Sequence, residues 1–380
     1  MVDDTKNTPG AGSPVPRRTV GKVPDVERGA AGAPGGGRKT FLPELNLELP
    51  PWVARYLRPS LPGLAVIFQK DALVLVHMVR GIRGAAPTLA HISQHTLPEG
   101  TLTPGLSEPN FSAPAEASAR LGRALDALPN RRKLNRISIV LPDACARMIL
   151  LDLKEIPKSR GQADQMIRWQ VRKRVPFKLD DARLSMQRFP LAGGGERVAV
   201  VLGLERILAQ YEQVVSALDL KPGLLDLATM NMANFCSMAG QDQAEADAGD
   251  VVFLNIADEE FSIFILRRRV PLFYRSRPLL HDAVRQPGEC LSDVRRELIT
   301  SSAYYRDRLG GAEERIRRVW LRVAGQTSFP LDEAVKATLG TMPQRVEPQR
   351  LLPLEGMAAV DAGLLELAAP ALGITAGRWS

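Results

Sequence analysis

The side chains best suited to binding a partner lie in one basic segment, residues 160–177. Arg168 and Arg172 are four residues apart with Trp169 between them, and Pro176 and Phe177 follow where a helix must end. Helical spacing places the two arginines on one face, where forked guanidinium groups and an indole can hold an acidic or carboxylate-bearing peptide. For the arginines, a solvated basic face is an equal alternative. We expect Trp169 to fill the core.

Residues suited to catalysis or metal binding do not group in the sequence. The histidines are His77, His91, His95 and His281, and only His91 and His95 share a face of a predicted strand. They lack neighbouring cysteines or carboxylates, so we predict no metal site. The glycines at 193–195 follow a strand without opening a helix, which indicates a hairpin loop rather than a phosphate-binding loop. We therefore predict a protein that is not an enzyme.

Composition narrows the possible compartments. No apolar run of about 18 residues is present, and the N-terminal residues lack the apolar region of a secretory signal. Three widely spaced cysteines, Cys145, Cys236 and Cys290, suggest neither a disulfide framework nor a metal site. These features predict a cytoplasmic protein.

Basic residues outnumber acidic ones, giving a formal net charge of +8. Such a charge can reflect nucleic acid, an anionic membrane or an acidic partner. Because the basic residues are dispersed among acidic ones, we favour an arginine-rich composition as the cause. We do not expect a nucleic-acid partner, since no reading helix or stacking platform accompanies the charge.

The predicted elements form two similar series. Residues 1–60 read as a disordered tail with a short apolar motif at 41–52. Strands at 64–68, 72–79 and 89–97 form a meander, followed by a helix from Pro114 and a strand at 136–141. A second meander at 251–256, 261–267 and 270–277 follows an acidic break at 241–249. It is likewise continued by a helix at 291–309, a strand at 316–323 and helices at 331–339 and 358–372.

A small module interrupts the first series. Strand 147–153, helix 160–174, strands 182–190 and 197–203 and helix 205–218 predict a two-layer α+β unit over residues 143–222. The repeated pattern predicts an α/β fold of the actin-like, ribonuclease-H type, with duplicated domains and this small inserted subdomain. Residues 61–142 and 223–240 would form the first domain, and residues 250–380 the second.

At several positions the sequence resembles the PilM-like type IV pilus assembly proteins, which are relatives of actin-like ATPases, and more distantly the type II secretion L proteins. The positions that carry the resemblance are Leu141-Pro-Asp143, Leu151-Asp-Leu153 with Ile156-Pro157, Ile167-Arg-Trp169 leading to Val175-Pro-Phe177, Leu220-Lys-Pro222 with Asp226 and Met230, and Ala369-Pro-Ala-Leu-Gly373. The resemblance implies a groove beside the inserted module that takes the cytoplasmic N-terminal peptide of a bitopic inner-membrane protein. It also implies ATP with Mg²⁺ between the two domains.

The chain departs from the family pattern where that nucleotide would bind. Phe68 stands at the expected first phosphate turn, where a bulky side chain would occupy the space of the phosphates. Asn255 and Asp258 lie where an Asp-x-Gly turn is expected, and could hold a metal or water or be surface turn residues. The expected Gly-Gly loop reads Gly325-Gln326. We therefore expect a pseudo-ATPase that binds ATP and Mg²⁺ weakly or not at all.

These observations together predict a cytoplasmic adaptor of a pilus-like or secretion-like inner-membrane assembly platform. It would reach the membrane only through partners, and Arg168, Trp169, Arg172, Pro176 and Phe177 are the predicted peptide-binding residues. A separate motor ATPase is a further predicted partner. The alternative is an active actin-like ATPase of the same machinery.

Overall fold

The computed structural model describes residues 62–79, 87–239, 249–311, 313–325, 329–351 and 354–376. The predicted tail at 1–60, its apolar motif and most of the acidic break at 241–249 lie outside these ranges. Among the helices described, none is long and apolar enough to cross a bilayer.

The first of two large sheets has the order β3-β2-β1-β4-β8. Its strands are β1 (Leu64–Gln69), β2 (Ala72–Val79), β3 (Thr88–Thr96), β4 (Arg136–Leu141) and β8 (Lys221–Leu227). β1 to β3 form an antiparallel meander, whereas β4 runs parallel to β1, and β8 parallel to β4. All six residues of β1 are buried, as expected for a central strand with both faces covered.

The second sheet repeats this arrangement, with the order β11-β10-β9-β12-β13. Its strands are β9 (Asp250–Ala257), β10 (Glu260–Arg267), β11 (Val270–Pro278), β12 (Ile316–Val323) and β13 (Pro343–Arg345). The shared strand order and directions are those of a duplicated ribonuclease-H-type unit, so the predicted actin-like α/β fold is confirmed. Sequence analysis missed β13, whose three residues are too short for a periodic signal.

Helices cover both sheets. The helices are α1 (Pro114–Asp126), α2 (Arg160–Arg172), α3 (Glu205–Ser216), α4 (Ala228–Ala239), α5 (Pro287–Arg308), α6 (Asp332–Leu339), α7 (Pro348–Leu351) and α8 (Ala362–Ala376). α1 and α3 pack together on the first sheet, while α4 and α8 pack against each other beside it. Phe253, Phe264 and Trp320 of the second sheet join the same core, so α4 and α8 lie between the two sheets.

Gly373, near the end of the chain, lies where helices α8 and α4 are in close contact. A Cβ atom added to Gly373 of α8 would lie 2.0 Å from the carbonyl oxygen of Asn231 in α4. Only glycine permits this separation, which is tighter than real Cβ contacts. Small residues on α8, including Ala368, Ala369 and Ala371, are fully buried at the same junction.

The inserted module has its own sheet, of order β5-β7-β6. Its antiparallel strands are β5 (Arg147–Leu153), β6 (Ala182–Pro190) and β7 (Glu196–Leu204). Ile167 and Val171 of α2 pack with Leu151, Val198 and Val200 in a separate small core. Ala163, Ile167 and Val171 form the buried stripe of this helix, and Met166 beside them is half-buried.

Two helices pack on a sheet outside the unit that the sequence predicted for them. α3, which sequence analysis placed in the module 143–222, packs through Ile207, Tyr211 and Val215 into the core of the first sheet. α8, which was assigned to the second domain, contacts β1, β2 and β4 of the first sheet. In both cases a helix next to one unit in sequence buries its apolar face on the other, because sequence adjacency does not determine which sheet a helix covers.

Candidate functional site

Two hairpin turns meet at the mouth of the cleft between the large sheets. The β1–β2 turn is Lys70-Asp71, and the β9–β10 turn is Asp258-Glu259. The amide of Lys70 donates to Asp258 Oδ2 at 3.0 Å, and Lys70 Nζ lies 2.5 Å from Glu259 Oε1. The pKa of Lys70 is raised, chiefly by its hydrogen bond to Glu259. The two turns thus contact each other directly.

A second connection crosses the mouth at its edge. Arg285, between β11 and α5, lies 2.6 Å from Asp71 and 3.1 Å from Glu99 of the first domain. These pairs are exposed, so each contributes little, about 0–1 kcal/mol. They indicate that the mouth of the cleft is closed by several weak contacts.

Deeper in the cleft lies a buried polar network. Asp143, just after β4, accepts hydrogen bonds from the amide and hydroxyl of Thr229 at the start of α4. Asn255 of β9 donates to Asp143 Oδ2 at 3.2 Å and to Thr229 Oγ1 at 3.0 Å. Arg322 Nη1 of β12 donates to Asn255 Oδ1 at 2.7 Å. The network therefore joins the two sheets through side chains that are almost fully buried.

Arg322 also compensates for a proline. Pro370 lies inside α8 and has no amide hydrogen, so the carbonyl of Glu366 loses its helical partner. Arg322 Nε donates to this carbonyl at 3.0 Å, and Nη2 donates to the carbonyl of Leu367 at 2.9 Å. With 1% of its surface exposed, Arg322 is among the largest fully buried side chains described. Sequence analysis did not identify Arg322, although it is the one arginine in the otherwise apolar run Val319–Val323.

Carboxyl groups around the network carry raised pKa values. Burial is the largest cause for each, raising the pKa of Asp258 to about 6, of Glu366 to about 7 and of Glu260 to about 8. The nearby Asp143 charge adds to the effect at Glu260. Glu260 Oε2 accepts the amide of Ala144 at 2.9 Å, a further bond between the halves. Burial therefore moves the titration of these three carboxyl groups from the acidic range towards neutral pH.

The space remaining in the cleft is small. Residues of both sheets, among them Phe68, Asp143, Asn255, Asp258 and Arg322, line a cavity of about 20 Å³. That volume is enough for roughly one water molecule, whereas ligand pockets measure about 300–1,000 Å³. The cavity lined by the described residues is thus far smaller than a nucleotide, and the guanidinium of Arg322 supplies a positive charge there.

The structure places the predicted nucleotide positions as follows. Phe68 is not in a turn: it is a buried residue of β1, and its ring packs edge-on against Phe111 and Tyr211 at 5.6 and 5.4 Å between centroids. Asn255 is buried in β9, so the interpretation as a surface turn residue is wrong for it. Asp258 is in the turn, with a positive φ of 54°. Gly325 follows β12 with φ of 76°, and Gln326 lies outside the described residues.

The predicted peptide-binding residues lie together on the module. Trp169 is 55% exposed, so the expectation that it fills the core is wrong. Ile167 and Val171 already occupy the core-facing stripe of α2, which turns position 169 outward. Lys173 Nζ lies 4.0 Å from the centroid of the Trp169 ring. Lys173 thus places a positive charge against the indole ring, and more than half of Trp169 remains exposed.

The neighbouring residues differ in how freely they can bind. Arg168 pairs with Asp164 one turn earlier at 2.7 Å, whereas Arg172 is exposed. Pro176 is exposed and Phe177 is half-buried, packing against both the module core and the first core. We call Trp169, Arg172, Lys173 and Pro176 the tryptophan face.

The predicted histidine pair, His91 and His95, lies beside Ser93. His91 and His95 share a face, and each ring nitrogen lies 3.0 Å from the hydroxyl of Ser93. Within the described ranges, no three histidine, cysteine or carboxylate side chains are grouped to hold a metal ion. His281 hydrogen-bonds to Asp293 instead.

Comparison with known proteins supports the fold. No protein-family model and no curated protein sequence matches the chain. A chain of a PilM–PilN type IV pilus biogenesis complex superimposes with a TM-score of 0.67 at 19% identity, covering 83% of this chain and 97% of that one. The resemblance to PilM-like proteins is thus confirmed at the level of the fold.

Two other solved structures match more weakly. A Bacteroides thetaiotaomicron protein with an actin-like ATPase fold and unknown function gives a TM-score of 0.42 at 10% identity, covering 77% of this chain and 92% of that one. The cytoplasmic domain of EpsL, an inner-membrane component of the Vibrio cholerae type II secretion system, gives 0.40 at 8% identity, covering 83% and 95%. Superpositions this loose carry no argument about function.

Proposed function

We propose that the protein is a non-catalytic adaptor of an inner-membrane platform that assembles type IV pili or a related secretion apparatus. It would bind the cytoplasmic N-terminal peptide of a bitopic membrane partner and be held at the inner membrane by that contact. It would also transmit the state of that partner to a separate motor ATPase.

The observation that carries the proposal is the similarity over nearly the whole length of a chain from a PilM–PilN complex. The match covers 83% of this chain and 97% of that one, so it extends over most of the architecture described above. The similarity speaks for the fold alone, so the partner has to be tested directly.

The tryptophan face is the proposed peptide contact. A solvent-exposed tryptophan offers a large, rigid contact area, and tryptophan and arginine are enriched among residues that dominate binding energy. Arg172 and Lys173 add positive charge, which favours a peptide bearing a carboxylate. Arg168 contributes less in this proposal, because Asp164 already satisfies its guanidinium.

Fluorescence anisotropy with a labelled peptide tests this contact. The probe is the cytoplasmic N-terminus of the PilN-like protein from the same organism. Trp169→Ala should weaken binding at least 30-fold, the equivalent of about 2 kcal/mol for a dominant contact residue. Arg132→Gln, an exposed change on the first domain, is the control and should leave affinity unchanged. Absence of binding by the unmodified protein would exclude the proposal, and equal losses in both variants would exclude the tryptophan face.

The cleft supports the non-catalytic part of the proposal, because its turns touch and Arg322 occupies its interior. The alternative, an active ATPase, requires the cleft to open and the network to break. Calorimetric titration with Mg-ATP distinguishes the two. We expect no binding at millimolar nucleotide, and micromolar affinity would overturn the pseudo-ATPase assignment.

A further inference from the structure

Several arginines come together at one end of the second sheet, around the buried carboxylate of Asp250. Arg267 at the end of β10 makes two hydrogen bonds of 2.8 Å to this carboxylate, and Tyr305 near the end of α5 donates to it at 2.6 Å. The amide of Asp250 donates to the carbonyl of Arg315, which precedes β12. Asp250 thereby brings the β10–β11 hairpin tip, the end of α5 and the start of β12 to one place.

The hairpin tip consists of two strained arginines. Arg268 and Arg269 have φ angles of 50° and 64°, and both are exposed. A two-residue hairpin turn with both central residues left-handed normally carries Asn-Gly or similar residues, because other side chains are disfavoured there. Backbone strain is often retained where it serves a function, so the two arginine side chains at this exposed tip are candidates for one.

Other exposed arginines surround this tip. Arg306 and Arg308 lie in the last turn of α5, and Arg315 is exposed just before β12. Arg306 and Arg315 also line an open depression of about 380 Å³ between the ends of α5 and α6. We call Arg268, Arg269, Arg306, Arg308 and Arg315 the basic end.

The acidic side chains described at this end are fewer than the five arginines of the basic end. Asp250 is fully buried and already paired, which leaves Asp307, Glu313 and Glu314 as the nearby acids in the described part of the chain. The last turn of α5 can use Arg306 and Arg308 to balance its dipole, but this does not account for the strained pair at the hairpin tip. The surface has the charge complementary to an anionic layer.

We propose that the basic end is a contact surface for the anionic headgroups of the membrane. Charge complementarity and breadth favour this occupant: five guanidinium groups spread over three chain segments suit an extended layer of phosphates. Each arginine near an anionic surface increases partitioning roughly fivefold at low salt, and the gain falls as salt screens the charges. The contact goes beyond the proposed function, because it does not require the partner peptide.

Vesicle co-sedimentation of the full chain tests the proposal. Vesicles of pure phosphatidylcholine are compared with vesicles containing phosphatidylglycerol, at low and at physiological salt. The test variant is Arg268→Asn with Arg269→Gly, which supplies the residues that this turn prefers and so maintains folding. The matched control, Arg132→Gln with Lys133→Gln, removes the same charge from an exposed part of the first domain.

We expect binding only to the anionic vesicles, a loss of at least tenfold for the hairpin variant, and a further loss when Arg306→Gln and Arg315→Gln are added. Equal binding to both vesicle types, or equal losses in test and control variants, would overturn the proposal. Release by millimolar inorganic phosphate, or preferential binding to a short DNA duplex, would likewise overturn it. Anisotropy with the partner peptide should be unchanged in the hairpin variant, which separates this result from the proposed function.

Discussion

Replacing Arg322 with methionine is the most direct test of how the two sheets are joined. The substitution keeps much of the side-chain volume but removes the donors to Asn255 Oδ1 and to the carbonyls of Glu366 and Leu367. Each buried acceptor left without a partner costs about 1–3 kcal/mol, partly offset because the buried charge no longer has to be desolvated. We expect Arg322→Met to lower the free energy of unfolding by about 3 kcal/mol.

A double-mutant cycle with Pro370→Ala separates the network from general loss of packing. Alanine at position 370 restores the amide that the Glu366 carbonyl lacks, so it should recover about 1 kcal/mol more in the Arg322→Met background than in the unmodified protein. Urea unfolding followed by circular dichroism gives the four free energies, provided that the slopes agree. A cost below 1 kcal/mol for Arg322→Met, or no coupling to Pro370→Ala, would refute the reasoning.

Further predictions concern charge, close packing and the turns. Burial raises the pKa of Glu260 to about 8, far above its value in the unfolded chain. The unfolded state therefore releases this proton at a lower pH than the folded state, so the free energy of unfolding should fall as pH rises from about 4.5 to 8. In Glu260→Gln, the urea midpoint should depend less on pH across this range. Gly373→Ala should lower the melting temperature through its clash with α4, whereas Gly161→Ala, in open space on α2, should raise stability by about 0.5–1 kcal/mol. Lys70→Met should change stability by less than about 1 kcal/mol yet accelerate amide hydrogen exchange in the two turns.

Periodicity predicted the strands other than β13 and most helices, because the two meanders alternate or bury their side chains in unbroken apolar runs. The duplicated order of elements was then sufficient for the fold. The packing partners of α3 and α8 could not be predicted in this way. The small buried residues of α8, ending at Gly373, allow this helix to pack closely against α4. They do not identify α4 as the partner, because any closely packed element would require the same small residues.

The polar interior of the cleft was harder to predict than its outline. Asn255 was singled out because the family resemblance places an Asp-x-Gly turn there, but its role depends on Arg322, which is distant in sequence. Trp169 was misplaced for a related reason, since burial was assumed for a large aromatic residue. Because Ile167 and Val171 define the buried face of the helix, helical spacing places position 169 away from the core.

The contacts that join the second sheet to its neighbours differ in strength, and this difference determines which part can move. The buried network of Asp143, Asn255 and Arg322 joins the two large sheets, and breaking it leaves several buried groups unpaired. The module also contacts the second sheet along β11, where Arg197 donates to the carbonyl of Pro271 at 3.0 Å and pairs with the exposed Asp152. A hydrogen bond from a charged donor contributes about 1.5–3 kcal/mol, which is less than the several buried bonds of the network contribute together. If a partner binds the tryptophan face, we therefore expect the module to shift and β11 to receive the change while the cleft stays closed.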